Sequence, residues 1–159
     1  MGKCYDKFWL YRDMDNMAYI FEYCEVYCNE IYGVKHIDKI KFLDAFMRSR
    51  FRKEMEQGQP RFLSQAAYDS IKMWVDVDYN KDLTPFIVQE EQMFREKQLY
   101  WIGWIYAFIH YKSKLSSKTI VNKLPIEDML NRYYLGHEMS KETFYNHIKD
   151  GLKTKDNRV

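Results

Sequence analysis

The sequence predicts an all-α fold: a single compact bundle of about six to eight helices around a central apolar, aromatic helix at about residues 99–111. Three observations predict it. The stretch 99–111, LYWIGWIYAFIHY, carries no full charge and does not alternate apolar with polar, so it is not a half-buried strand. It is longer than a typical buried strand, and shorter than the roughly 20 apolar residues that span a bilayer. A helix apolar on all sides then belongs at the centre of a protein. The flanking segments place apolar residues at three- and four-residue steps, and no two segments are joined by hairpin turn chemistry.

The elements follow in order. Asp13 or Asp15 is positioned to cap a first helix over 14–31, whose stripe is Met14, Met17, Ala18, Phe21, Cys24, Cys28 and Ile31. Gly33 stops it. A second helix over 37–56 turns Ile37, Ile40, Leu43, Phe46, Met47 and Phe51 inward and ends at Gly58 and Pro60. A third starts at a Ser64 cap and carries Ala67, Ile71, Trp74 and Val75. Residues 76–85 read as turn and loop, and a short helix starts near Pro85 and runs through EEQMF. In the central helix Trp101, Ile105 and Phe108 are expected inside, with Trp104, and Gly103 against a close neighbour. Tyr100 lies at its outward edge. Ser116 or Ser117 caps a short helix to Lys123, and Pro125 opens one over 126–134 closed by Gly136-His137. Ser140 opens a last helix to about 150. The domain covers 1–150, and 151–159 is a polar, fraying tail.

The composition suits a globular chain: 159 residues, 47% hydrophobic and 30% charged, with 14 Tyr, 10 Phe and 4 Trp. A net charge of +2, from 25 basic and 23 acidic residues, is no polyanion-binding signature. Three cysteines do not make a disulfide framework, and the opening MGKCYDKFWLYRD has no apolar core of a secretory signal. Both point to a reducing cytoplasm. Met1-Gly2 opens like a myristoylation site, but Asp6 stands where that motif has Ser or Thr.

Chemistry-bearing residues are few. Cys24 and Cys28 have the i, i+4 spacing of helical metal ligands, but they fall on the apolar stripe where free cysteine packs as a small hydrophobe, so no metal or cofactor is expected. His110, in the aromatic helix, reads as a hydrogen-bonded core histidine, and His137 as a helix-end histidine bound to carbonyls; His147 is a third possible base. The run 48–53, RSRFRK, is the densest basic patch, and its arginines suit phosphate or carboxylate; Asp44, Glu54 and Glu56 dilute it. Residues 126–148 have the outline of a helix-turn-helix, with a turn too long and a second helix of mixed charge.

Four segments carry a family resemblance: LYRDMDNMAYIFEYC at 10–24, FLDAFMRSRFRKEMEQGQPRFLSQAAYD at 42–69, YWIGWIYAFIHYKSKLSSKTIVNKLPI at 100–126 and YYLGHEM at 133–139. Together they resemble a family of small, uncharacterised all-helical bacterial proteins often encoded beside toxin-like genes, including ADP-ribosyltransferase-like ones. Ser64 stands where that family has glycine, and His110 where glutamine is common. The resemblance implies a non-enzymatic interaction protein, an antitoxin-like or accessory partner of a toxin-type enzyme in a toxin–antitoxin or defence-related locus. It carries over no catalytic residues. The side chains suited to hold a protein partner are Tyr11, Arg12, Arg48, Arg50, Arg52, Tyr100 and His137, since Tyr and Arg dominate interface energetics. The alternative is a nucleic-acid-binding regulator using the 48–53 patch and the 126–148 segment. No membrane partner is expected.

Overall fold

The computed structural model describes residues 4–95 and 97–153. Within them the chain is all-α, and its helices are α1 (Leu10–Tyr32), α2 (Lys39–Met47), α3 (Arg50–Glu56), α4 (Pro60–Leu63), α5 (Ala67–Asp78), α6 (Gln98–Ser113), α7 (Ser117–Lys123), α8 (Ile126–Gly136) and α9 (Lys141–Leu152). One continuous hydrophobic cluster draws residues from all nine. No helix among the described residues is long and apolar enough to cross a membrane.

The expected central helix is α6. From Leu99 to His110 only Tyr100 and Trp104 escape full burial. Its most extensive contact is with α1, and it also packs against α7, α8 and α9. Gly103 sets the α1–α6 distance. A Cβ built there would lie 2.8 Å from the Met17 carbonyl carbon and 2.9 Å from Phe21 Cγ, with the Met17 carbonyl oxygen closer still. The two backbones can approach only because residue 103 has no side chain. The first turn of α6 has no side-chain cap of its own; instead Glu22 of α1 accepts the Tyr100 N–H at 3.2 Å. Buried Tyr106 ties α6 to the end of α7, its hydroxyl donating to the Leu124 carbonyl at 2.5 Å.

Several boundaries differ from expectation. A 3₁₀ turn at Lys7–Trp9 runs straight into α1, so α1 begins at Leu10 and Asp13 is inside it, not its cap; Asp15 is an exposed residue of its second turn. The long second helix is two. Ser49 adopts extended φ/ψ, its hydroxyl donating to the Phe46 carbonyl at 2.7 Å while its oxygen accepts the Arg52 N–H at 3.0 Å. It closes α2 and caps α3. Ser64 ends the four-residue α4, and α5 starts from Ala66. Residues 85–94 form no α-helix. After a 3₁₀ turn at Thr84–Phe86 the chain is extended, bonded through Asp38 N–H to the Phe86 carbonyl (2.7 Å) and Val88 N–H to the His36 carbonyl (3.2 Å). These bonds to the 36–39 segment take up backbone groups that a helix would otherwise pair within itself. Pro125 is the N-cap of α8 rather than its first residue, and α9 runs past Asp150 to buried Leu152. The expected fraying of 154–159 lies outside the described residues, as does Met1-Gly2.

Replacing Gly103 by Ala forces α1 and α6 apart against main-chain atoms that cannot rotate away. Urea denaturation of Gly103→Ala is expected to show a loss of about 1–3 kcal/mol, the usual cost of overpacking, and Gly103→Leu a larger one. Unchanged stability would mean the helices have room to separate.

Candidate interaction surface

The seven side chains suited by type to partner binding do not converge. Tyr11 is exposed at the start of α1, with Lys141 Nζ 5.8 Å over its ring. Arg12 donates to the Ser64 carbonyl at 2.6 Å and, with Asn16, holds the turn after α4 against α1. Arg48 bridges Asp44 (2.9 Å) and Asn122 of α7 (2.6 Å). Arg50 extends into solvent near Glu54. His137 sits at the C-terminus of α8, its Nδ1–H on the Tyr133 carbonyl at 2.6 Å and its ring stacked on Tyr133 at 4.2 Å; this is the helix-end role its position suggests.

Arg52 is a correction. It is 0% exposed and belongs to the interior. The sequence hides this because α3 starts at Arg50, so Arg52 falls on the same inward face as Phe51, Met55 and Glu56. Its Nη1 and Nη2 donate to the two oxygens of Asp13 at 2.6 and 3.0 Å, and its Nε donates to Ser117 Oγ at 3.0 Å and lies 3.3 Å from Glu56. Tyr5 completes the Asp13 carboxylate with a 2.6 Å hydrogen bond, and Glu56 accepts the Ser117 N–H at 2.8 Å. Burial works against the guanidinium charge, but Asp13 and Glu56 outweigh it and hold the Arg52 pKa above its ordinary value. Burial, aided by Asp13, pushes the Tyr5 phenol well up, so it stays a donor. His110 closes the cluster. Its Nδ1 faces the Leu115 carbonyl at 2.7 Å and Glu56 at 3.4 Å, which assigns the proton to Nδ1 and leaves Nε2 to the Cys4 thiol at 3.6 Å. Burial lowers the His110 pKa despite Glu56. Among the described residues no buried side-chain nitrogen or oxygen of this centre is left without a partner, and the centre joins α1, α3, α6 and α7.

Cys24 and Cys28 are both fully buried, and Cys24 donates to the Phe21 carbonyl. Burial pushes both thiols up, Cys28 to about 12. His36, half-buried, lies 3.7 Å from Glu25, and His147 is exposed on α9. Among the described residues no three His, Cys, Asp or Glu side chains are placed to share a metal ion.

A surface feature does bring residues together. Five tyrosine rings from three helices run edge to face, stacked or tilted across the outer side of α1: Tyr100 against Tyr19 (5.7 Å between centroids), Tyr19 against Tyr23 (5.9 Å), Tyr23 against Tyr27 (5.9 Å) and Tyr27 against Tyr68 of α5 (5.5 Å). Tyr19, Tyr23 and Tyr68 are 44%, 38% and 37% exposed, and half-exposed Val26 adjoins them on α1. Neighbouring rings hold each other in place, so this ribbon presents apolar area at low entropic cost. Of the residues singled out from the sequence, only Tyr100 belongs to it. A signal existed: Tyr19, Tyr23 and Tyr27 repeat every four residues, off the Met17–Phe21–Cys24–Cys28 stripe.

Comparison with protein-family models, with curated proteins and with solved structures found no match to this chain.

Two outcomes test the buried centre. Arg52→Ala leaves Asp13 charged and dry, so chemical denaturation is expected to report a loss of about 3–5 kcal/mol, whereas Arg50→Ala is expected to stay within about 0.5 kcal/mol of the parent. Equal effects would refute the burial of Arg52. For His110 the folded pKa lies below the ordinary 6.5, so below that pH the unfolded chain takes a proton that the folded one refuses. Stability is therefore full above about pH 6.5 and falls as the solution is acidified, and a urea series between about pH 7.5 and 5.5 is expected to have a shallower slope in His110→Gln.

Proposed function

We propose that the chain is a non-enzymatic interaction protein that holds a protein partner on its tyrosine ribbon. The observation that carries this is the contiguity of Tyr100, Tyr19, Tyr23, Tyr27 and Tyr68 on an open face. Ordered, adjacent tyrosines supply the large contacts on which interface free energy concentrates. The polar groups best suited to chemistry, by contrast, are spent inside: Asp13, Arg52, Glu56 and His110 bind one another and the backbone.

The class of partner comes from the resemblance: an antitoxin-like or accessory protein beside a toxin-type enzyme of a bacterial toxin–antitoxin or defence-related locus. The nucleic-acid reading draws less support. Arg48, Arg50, Lys53 and Lys118 line an open groove of about 600 Å³ with Glu54 and Glu56, but Arg48 is bonded to Asp44 and Arg52 is withdrawn into the core. Arg50, 3.8 Å from Glu54, and Lys53 are a thin footing for a polyanion.

The test is a titration with the toxin-like protein encoded beside this chain, co-expressed and purified. Tyr19→Ala with Tyr23→Ala is expected to keep the helical circular dichroism and weaken binding at least about 30-fold, the loss that marks hot-spot residues. Arg50→Ala with Lys53→Ala is expected to change it by less than about threefold. No complex, or one indifferent to the tyrosines and sensitive to the cations, would overturn the proposal.

A further inference from the structure

We infer that the element seated on the ribbon is a cationic segment of a protein, presenting arginine or lysine side chains to the tyrosine faces. This rests on the reading of the ribbon as the contact surface and adds the chemistry of what meets it.

The charge along the ribbon favours a cation. Although the chain as a whole carries +2, the exposed carboxylates of Asp15 and Glu30 lie along the ribbon on α1, and that of Asp69 follows Tyr68 on α5. Asp15 acts on the Tyr100 hydroxyl and Glu30 on that of Tyr27, each adding to burial in raising the phenol's pKa. Of the nearby cations, Lys72 is held by Asp76 at 2.8 Å. Lys97 is another, and it sits against the ribbon itself.

Lys97 Nζ lies 4.7 Å over the ring of Tyr100, so the ribbon's edge already holds an ammonium group from its own chain. The quadrupole of a tyrosine ring attracts a cation to its face. Among the described residues no cation lies over Tyr19, Tyr23, Tyr27 or Tyr68, and these continue the same surface toward Glu30 and Asp69. A guanidinium or ammonium arriving there meets a ring face and a carboxylate together. A phosphate backbone or an acidic peptide meets like charge.

The experiment is selection of a random linear peptide library on the immobilised full chain. The selected peptides are then titrated against the parent, against Tyr19→Ala with Tyr23→Ala, and against the neutralised variant Asp15→Asn, Glu30→Gln, Asp69→Asn. Peptides that depend on the tyrosines are expected to carry net positive charge and to bind the neutralised variant about 10-fold more weakly, as three exposed charge pairs together imply. Tyrosine-dependent peptides that are neutral or acidic, or that ignore the neutralisation, would overturn the cationic partner and leave the ribbon standing. A selection yielding no tyrosine-dependent peptide would overturn the ribbon itself. Both variants alter side chains that are exposed, and the circular dichroism of each is expected to match the parent's, so that a loss of binding reads the surface.

Discussion

The bidentate pair between Asp13 and Arg52 is the interaction on which the arrangement of helices depends. An arginine with no exposure is tolerated only where its charge is answered and its donors are occupied. Here the answers come from different parts of the chain: Asp13 from α1, Glu56 from α3 itself, Ser117 from the start of α7, with Tyr5 and His110 filling the acceptors that remain. Apolar packing is permissive about how helices slide; a forked guanidinium is not. The centre therefore sets where α3 and α7 stand against α1, and losing either charge strands the other. Set against the roughly 5–15 kcal/mol that holds a typical domain folded, a penalty of several kcal/mol at one residue is a large share.

Around that centre the aromatic core is organised by close approach. Gly103 lets α1 and α6 meet backbone to backbone, and Gly136 lets α8 receive side chains, since an added Cβ would strike the Trp101 ring at 2.7 Å and Phe144 at 2.9 Å. The rings then lock edge to face, as Phe42 and Phe46 do on Trp74, and Phe144 on Trp101. Such pairs are directional, which restricts the rotamers of a core made mostly of large side chains.

The tyrosines divide by what their hydroxyls reach. Tyr5 and Tyr106 are buried because each has an acceptor, Asp13 and the Leu124 carbonyl. Tyr19, Tyr23 and Tyr68 stay partly in water, their rings covered by one another. One residue type thus serves both the interior and the open face, and a raw count of tyrosines conveys neither role.

What the sequence by itself determined is what depends on neighbours along the chain. The all-α class and the central position of α6 followed from periodicity and from an uncharged aromatic run too long for a strand. The inward faces of α1, apart from Ile31, and of α5 followed from spacing, and the caps at Ser116, one of two candidates with Ser117, and at Ser140 followed from a hydroxyl just before a helical segment. The tertiary structure decided whatever rests on a distant partner. Arg52 lies amid three other basic residues, Arg48, Arg50 and Lys53, and looks solvated until Asp13, 39 positions away, is brought to 2.6 Å. The break at Ser49 is favoured once α3 must turn that arginine inward. Residues 87–94 form no helix, and the backbone of Phe86 and Val88 pairs with the segment at 36–39. The ribbon needed three helices to meet: the four-residue repeat in α1 was visible in the sequence, but Tyr68 and Tyr100 join it only through packing, since ring contacts between α1, α5 and α6 exist only once those helices have docked.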